Sequence, residues 1–136
     1  MDDAKAILVE ELSGLLRRLP GVSIDSADIR PGHLSLIVGI EKIESIGPIV
    51  YCASGANIPL DLWTTAPPKP LHERANPAHL RYRILAKNVE GQPNAALEAF
   101  EFFGVFLVWY LHGVGALAEP DANRLLKLWD GKSVPA

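Results

Sequence analysis

The stretch His33-Leu34-Ser35-Leu36-Ile37-Val38-Gly39-Ile40 decides the fold. Apolar residues recur at every second position, 34, 36, 38 and 40, which is the period of a strand with one buried face. Toward the N-terminus, Pro31-Gly32 marks a turn, and Val22, Ile24 and Ile29 read as short extended pieces punctuated by Asp25 and Asp28. Before them, residues 2–19 predict a helix with Leu8, Leu12, Leu15 and Leu19 along one face. Asp2 and Asp3 at its start and Arg17 and Arg18 at its end suit the helix dipole, and Pro20-Gly21 stops it. Gly14 is costly inside this helix and points to a close approach there.

Downstream of the strand, residues 41–47 carry charges and a glycine and form a connection. Ile49-Val50-Tyr51-Cys52-Ala53 is rich in strand formers, Ser54-Gly55-Ala56-Asn57 has turn composition, and Ile58, Leu60 and Leu62 alternate. These residues predict a hairpin, with Pro59 at the start or edge of its second strand. A short helix over 48–54, with Pro48 in its first turn, is the alternative. Residues 66–79 predict a long irregular loop, extended at Ala66-Pro67-Pro68-Lys69-Pro70 and broken again at Pro77. Its bare PxxP spacing suits a rigid spacer as well as it suits an SH3 ligand.

Residues 80–89 predict another strand, with Tyr82, Ile84 and Ala86 inward and Arg81, Arg83 and Lys87 outward. Asn94 then stands at the N-cap of a long helix reaching Gly113, apolar on every side from Phe102 to Leu111. A last helix runs from Pro120 to Asp130, with Leu125, Leu128 and Trp129 on one face and Gly131 as its stop. The expected fold is α+β in a single domain over residues 1–136. An N-terminal helix leads into an antiparallel sheet of about four strands, and two C-terminal helices pack on one face.

Bulk composition narrows the function classes. At 136 residues, 49% hydrophobic and 21% charged, the chain has the makings of one folded core and not of a disordered tail. A net charge of −3 gives no cationic field for nucleic acid. The acidic start Met1-Asp2-Asp3 is unlike a signal peptide, so the expected location is cytoplasmic. The apolar run from Phe102 to Ala118 falls short of a hydrocarbon core of about 30 Å and lacks basic flanks, so no membrane span is favoured.

Catalytic and metal chemistry finds no motif. Cys52 is the single cysteine, and in its apolar run it reads as a small core residue. His72-Glu73 opens like a zincin helix, but the next histidine is His79 and prolines intervene, so neither metal nor other cofactor is expected. Ala53-Ser54-Gly55 is not a nucleophile elbow. No catalytic residue is assigned.

Two features suggest partners instead. The all-round apolar helix needs more cover than so small a domain supplies, and Phe103, Phe106 and Tyr110 are the candidates for a partner or second subunit to cover. Lys69, Arg74, Arg81, Arg83 and Lys87 face the lone acid Glu73 within an otherwise acidic chain, a candidate docking face for an acidic partner. A solvated strand face guarding a sheet edge accounts for the same cations and weighs more heavily. The expectation is a non-enzymatic interaction or assembly subunit, oligomeric, with a protein or itself as partner. The alternative is a small-molecule enzyme or ligand-binding domain. Its pocket would lie between sheet and apolar helix, with Cys52, His72 or His79 contributing polar groups.

Overall fold

A computed structural model describes residues 2–30, 32–40, 43–64 and 80–129. In chain order these form α1 (Asp2–Leu16), β1 (Val22–Arg30), β2 (His33–Ile40), a 3₁₀ turn (Ile43–Ser45) and α2 (Ile46–Gly55). They continue as β3 (Leu60–Thr64), β4 (Leu80–Lys87), α3 (Ala95–Gly113) and α4 (Glu119–Leu128). The four strands make one antiparallel sheet in the order β1-β2-β4-β3, and the fold is α+β as the strand pattern predicts. β2 and β4 pair along their whole length, from His33 opposite Lys87 to Ile40 opposite Leu80. β4 is therefore a central strand, not a guarded edge.

Alternation in β2 does what it implies. Leu34, Leu36, Val38 and Ile40 are buried, as are Tyr82, Ile84 and Ala86 on β4 beside them. α3 lies on β2 and β4, and α1, α2 and α4 each pack on α3. Its apolar circumference is thus shared between a sheet and three helices. By length and composition α3 would suffice to cross a membrane; its residues Ala96, Phe100, Phe103, Gly104, Leu107, Val108 and Leu111 are buried in the protein. Phe100, Phe103, Leu107 and Leu111 are fully buried, each a contribution of roughly 1.5–3 kcal/mol from area removed from water.

Two helical glycines seat aromatic rings at these junctions. A Cβ on Gly104 of α3 would come within 2.6 Å of the Trp129 ring, which follows α4. A Cβ on Gly55 of α2 would come within 2.9 Å of the Phe106 ring. Each glycine costs helix propensity and returns a close ring contact.

Five local readings need correction. Gly14 is exposed and marks no close approach, since a Cβ there would meet nothing within 4 Å. Ile49 to Ala53 is helix, not the first arm of a hairpin: Ile49, Cys52 and Ala53 point into the core at helical spacing, and Pro48 sits in the first turn, where its N–H is not needed. Asn57, in the left-handed region at φ 57°, ends this helix. The Ile58 N–H then reaches the Ala53 carbonyl at 2.8 Å and the Asn57 N–H reaches Ser54 at 3.2 Å, the Schellman arrangement. Residues 22–30 are one strand, not separate pieces. Its register shifts between Ile24 and Ser26, so Asp25 is an extra residue that breaks the alternation without breaking the strand.

The cap of α3 is also not where the sequence puts it. Asn94 occupies the N-cap position but makes no side-chain cap hydrogen bond. Asn88 Oδ1 accepts the Ala96 N–H at 2.9 Å instead, while the Asn88 N–H donates to the Gly32 carbonyl at 2.7 Å. One side chain and its own backbone thereby join the β1–β2 turn, the end of β4 and the start of α3. On α4, Leu125 and Trp129 are buried as expected, but Leu128 is half exposed and Leu126, with Ala122, takes its place in the buried stripe.

Candidate functional site

The C-terminal half of α3 and the outer side of α2 leave a hollow of about 630 Å³ between them. Pro48 and Tyr51 of α2 line one wall; Phe106, Trp109 and Tyr110 of α3, with Val114 beyond its end, line the other. Helical spacing makes this surface. Phe102, Phe106 and Trp109 stand at i, i+4 and i+7 of α3; Phe102 and Trp109 are exposed, and Phe106, its ring against Gly55 of α2, is half-buried. On α2, the residues between the buried ones point outward, which exposes Val50 and Tyr51.

The exposures are large for aromatic side chains. Tyr51 is 66% exposed, Phe102 59%, Trp109 42% and Val114 59%. Phe106 and Trp109 meet edge to face, with ring centroids 6.3 Å apart and planes at 67°, which fixes the shape of the wall. None of the lining residues is charged. The lining side chains that carry a polar atom are Tyr51, Trp109 and Tyr110, each combining an apolar body with a single hydrogen-bonding group.

Of the apolar candidates, Phe106 and Tyr110 lie in this wall and Phe103 does not. The Phe103 ring is fully buried in the core and presents no surface to a partner. Tyr51 and Trp109, which sequence reasoning did not select, are the most exposed aromatic rings lining the hollow. The detectable signal for Trp109 was its place in the stripe with Phe102 and Phe106. Tyr51 could be found only by knowing that residues 46–55 are helical and rest on α3.

The solvent-facing side of the sheet holds the second candidate. Arg81 meets Asp25 at 2.5 Å, and Arg83 Nε and Nη2 both reach Asp61 Oδ2, at 3.0 and 2.5 Å. Asp61 is the direct cross-strand partner of Arg83. Arg30 and Asp28 form a further pair at 3.0 Å at the end of β1. Arg81 and Arg83 of β4 are therefore paired with carboxylates from β1 and β3, an arrangement invisible along β4 alone. Lys87 is exposed at the strand end, opposite His33. Burial, together with the Arg30 charge, holds the His33 imidazole below its usual 6.5 despite the opposing pull of Asp28. Lys69 and Arg74 lie outside the described residues.

Cys52 is completely buried in α2, and burial pushes its thiol up to about 12, so it stays protonated and unreactive. It does not line the hollow, which lies between two helices and not between sheet and helix. His72 and His79 lie outside the described residues. Among the described residues, no group of three or more His, Cys, Asp or Glu side chains is placed to hold a metal ion.

No family model, curated protein or solved structure matches this chain.

Proposed function

We propose that this chain is a non-enzymatic assembly subunit that binds protein through the uncharged aromatic face of α2 and α3. The observation that carries the reading is the contiguous exposure of Tyr51, Trp109 and Val114 around the hollow that Phe106 and Tyr110 line. With aromatic side chains presenting about 150–250 Å² apiece, the uncovered parts of this patch and of neighbouring Val50 and Phe102 come to roughly 500 Å². The largest apolar patch of a typical monomer is about 300–600 Å², and such patches are often functional. Tyrosine and tryptophan are also the residue types on which binding energy concentrates.

The paired face of the sheet plays a lesser part. An acidic partner at Arg81 and Arg83 must compete with Asp25 and Asp61, so that surface adds orientation and salt sensitivity more than affinity. A hollow of about 630 Å³ also falls within the range of small-molecule sites. A small apolar ligand is therefore the competing occupant.

The test is site-specific photo-crosslinking. A benzophenone side chain in place of Tyr51 should give protein adducts in the producing cell, and one in place of Glu90, on an exposed turn away from the patch, should give few. Equal yields at the two positions, or none at either, would remove the docking reading and leave the small-ligand one.

A further inference from the structure

The reading of the aromatic face as a docking surface leaves open what docks there, and three observations bear on it. The first is charge. The chain carries −3 overall, a net repulsion between two copies, and the lining of the hollow carries no charge at all. This is a face on which two like-charged chains can meet without juxtaposing like charges.

The second is area. Standard interfaces cover about 800 Å² on each partner, and those of homodimers are about 65% apolar. That requires roughly 500 Å² of apolar surface per copy, which the patch supplies. A small peptide or ligand would leave much of it uncovered.

The third is shape. A two-fold interface uses the same patch on both sides, so that patch must contain both a projection and a recess. Here Tyr51 and Trp109 are prominently exposed at the rim of the hollow they help to line. A two-fold axis through the groove would set the exposed rings of each copy against the hollow of the other.

From these we infer that the occupant of the α2–α3 face is a second copy of this chain, packed isologously through Tyr51, Trp109 and Val114.

Sedimentation velocity of the purified full chain, from about 1 to 200 µM, tests this directly. Twice the chain mass is expected at the upper concentrations. Tyr51→Glu with Trp109→Glu should weaken association by at least about 100-fold, since a buried unpaired charge is placed on each side of the axis. Trp109→Phe should retain the dimer. Val114→Glu, beyond the end of α3, provides a second disrupting variant should the double one fold poorly. A chain that stays monomeric across the range, or a dimer indifferent to these charges, would overturn the inference. The benzophenone adduct separates this failure from that of the docking reading. An adduct of twice the chain mass supports the second copy, and an adduct only of another mass rejects it while leaving the docking reading in place. No adduct rejects both.

Discussion

Asp25 and Arg81 form their ion pair across a strand to which neither belongs, directly above Gly39. Gly39 is opposite Ser23 on one side and Arg81 on the other, and a Cβ there would lie 2.8 Å from Ser23 Oγ and 3.3 Å from the Asp25 carboxylate. The register shift adds Asp25 to the outer face, and the missing side chain at 39 leaves room for it to reach over. Replacing Gly39 with valine should displace Ser23 and Asp25 and cost about 1–3 kcal/mol, as overfilling a tight site does. Asp25→Asn alone should cost under about 1 kcal/mol, because the pair is partly exposed and screened. Urea denaturation of the two variants checks the order.

Charge reversal on β4 has a consequence that depends on its neighbours. Arg81→Glu with Arg83→Glu sets new carboxylates against Asp25 and Asp61. We expect a loss of about 1–2 kcal/mol at low salt, shrinking as salt is added, whereas the glutamine pair should lose less than the reversed pair. A reversed variant as stable as wild type at low salt would show that the pairs contribute nothing.

Asn88 and Asn94 exchange the importance that sequence position suggests. Asn88→Ala removes the side chain that accepts the Ala96 N–H and should cost about 0.5–2 kcal/mol. Asn94→Ala makes no such loss and should fall within about 0.5 kcal/mol of wild type. Thermal melts of both settle the ranking.

Cys52 should report unfolding. With its thiol buried and neutral, a thiol reagent at pH 8 should label the native chain only as fast as the core opens, and label denatured chain at once. The shift also sets a pH dependence. The folded thiol ionises near about 12 and the free one near 9.0, so the unfolded state gives up its proton first. The contribution to stability is full below 9.0 and disappears as pH rises from there toward 12. Cys52→Ala should flatten that part of the profile.

How much of this was legible depended on whether the signal was local. β2 and β4 each place an apolar residue at every second position toward a single core, with only Ile37 and Leu85 apolar on the other face, and both were readable from their own residues. α3 was readable from its length. The unreadable parts are those in which two segments share one decision. Ile49 to Ala53 has strand-forming side chains, and only its docking on α3 makes the helix the better outcome; a short apolar run does not announce its own period. The extra residue Asp25 shifts the phase of β1, so Ala27 and Ile29, opposite Leu36 and Leu34 but themselves exposed, come three and five positions after Ile24 and look unrelated to it. The same holds for the sites. Phe106 and Tyr110 could be picked from an apolar helix, but Phe103 sits one turn round on the covered side. The carboxylates that neutralise Arg81 and Arg83 come from strands distant in sequence.

The central position of α3 has a bearing on biosynthesis. The strands that it covers end at Lys87, while α3 itself runs to Gly113 and α4, which packs on it, to Leu128. A nascent chain that has emerged only as far as Asn94 carries the greasy side of a four-stranded sheet with no α3 to cover it. At about 5–20 residues per second, the wait for α3 to emerge lasts a few seconds, long compared with hairpin formation in microseconds. During that interval Leu34, Leu36 and Ile84 are the surface a holding chaperone would grip, and a ribosome stalled before residue 113 would display them indefinitely.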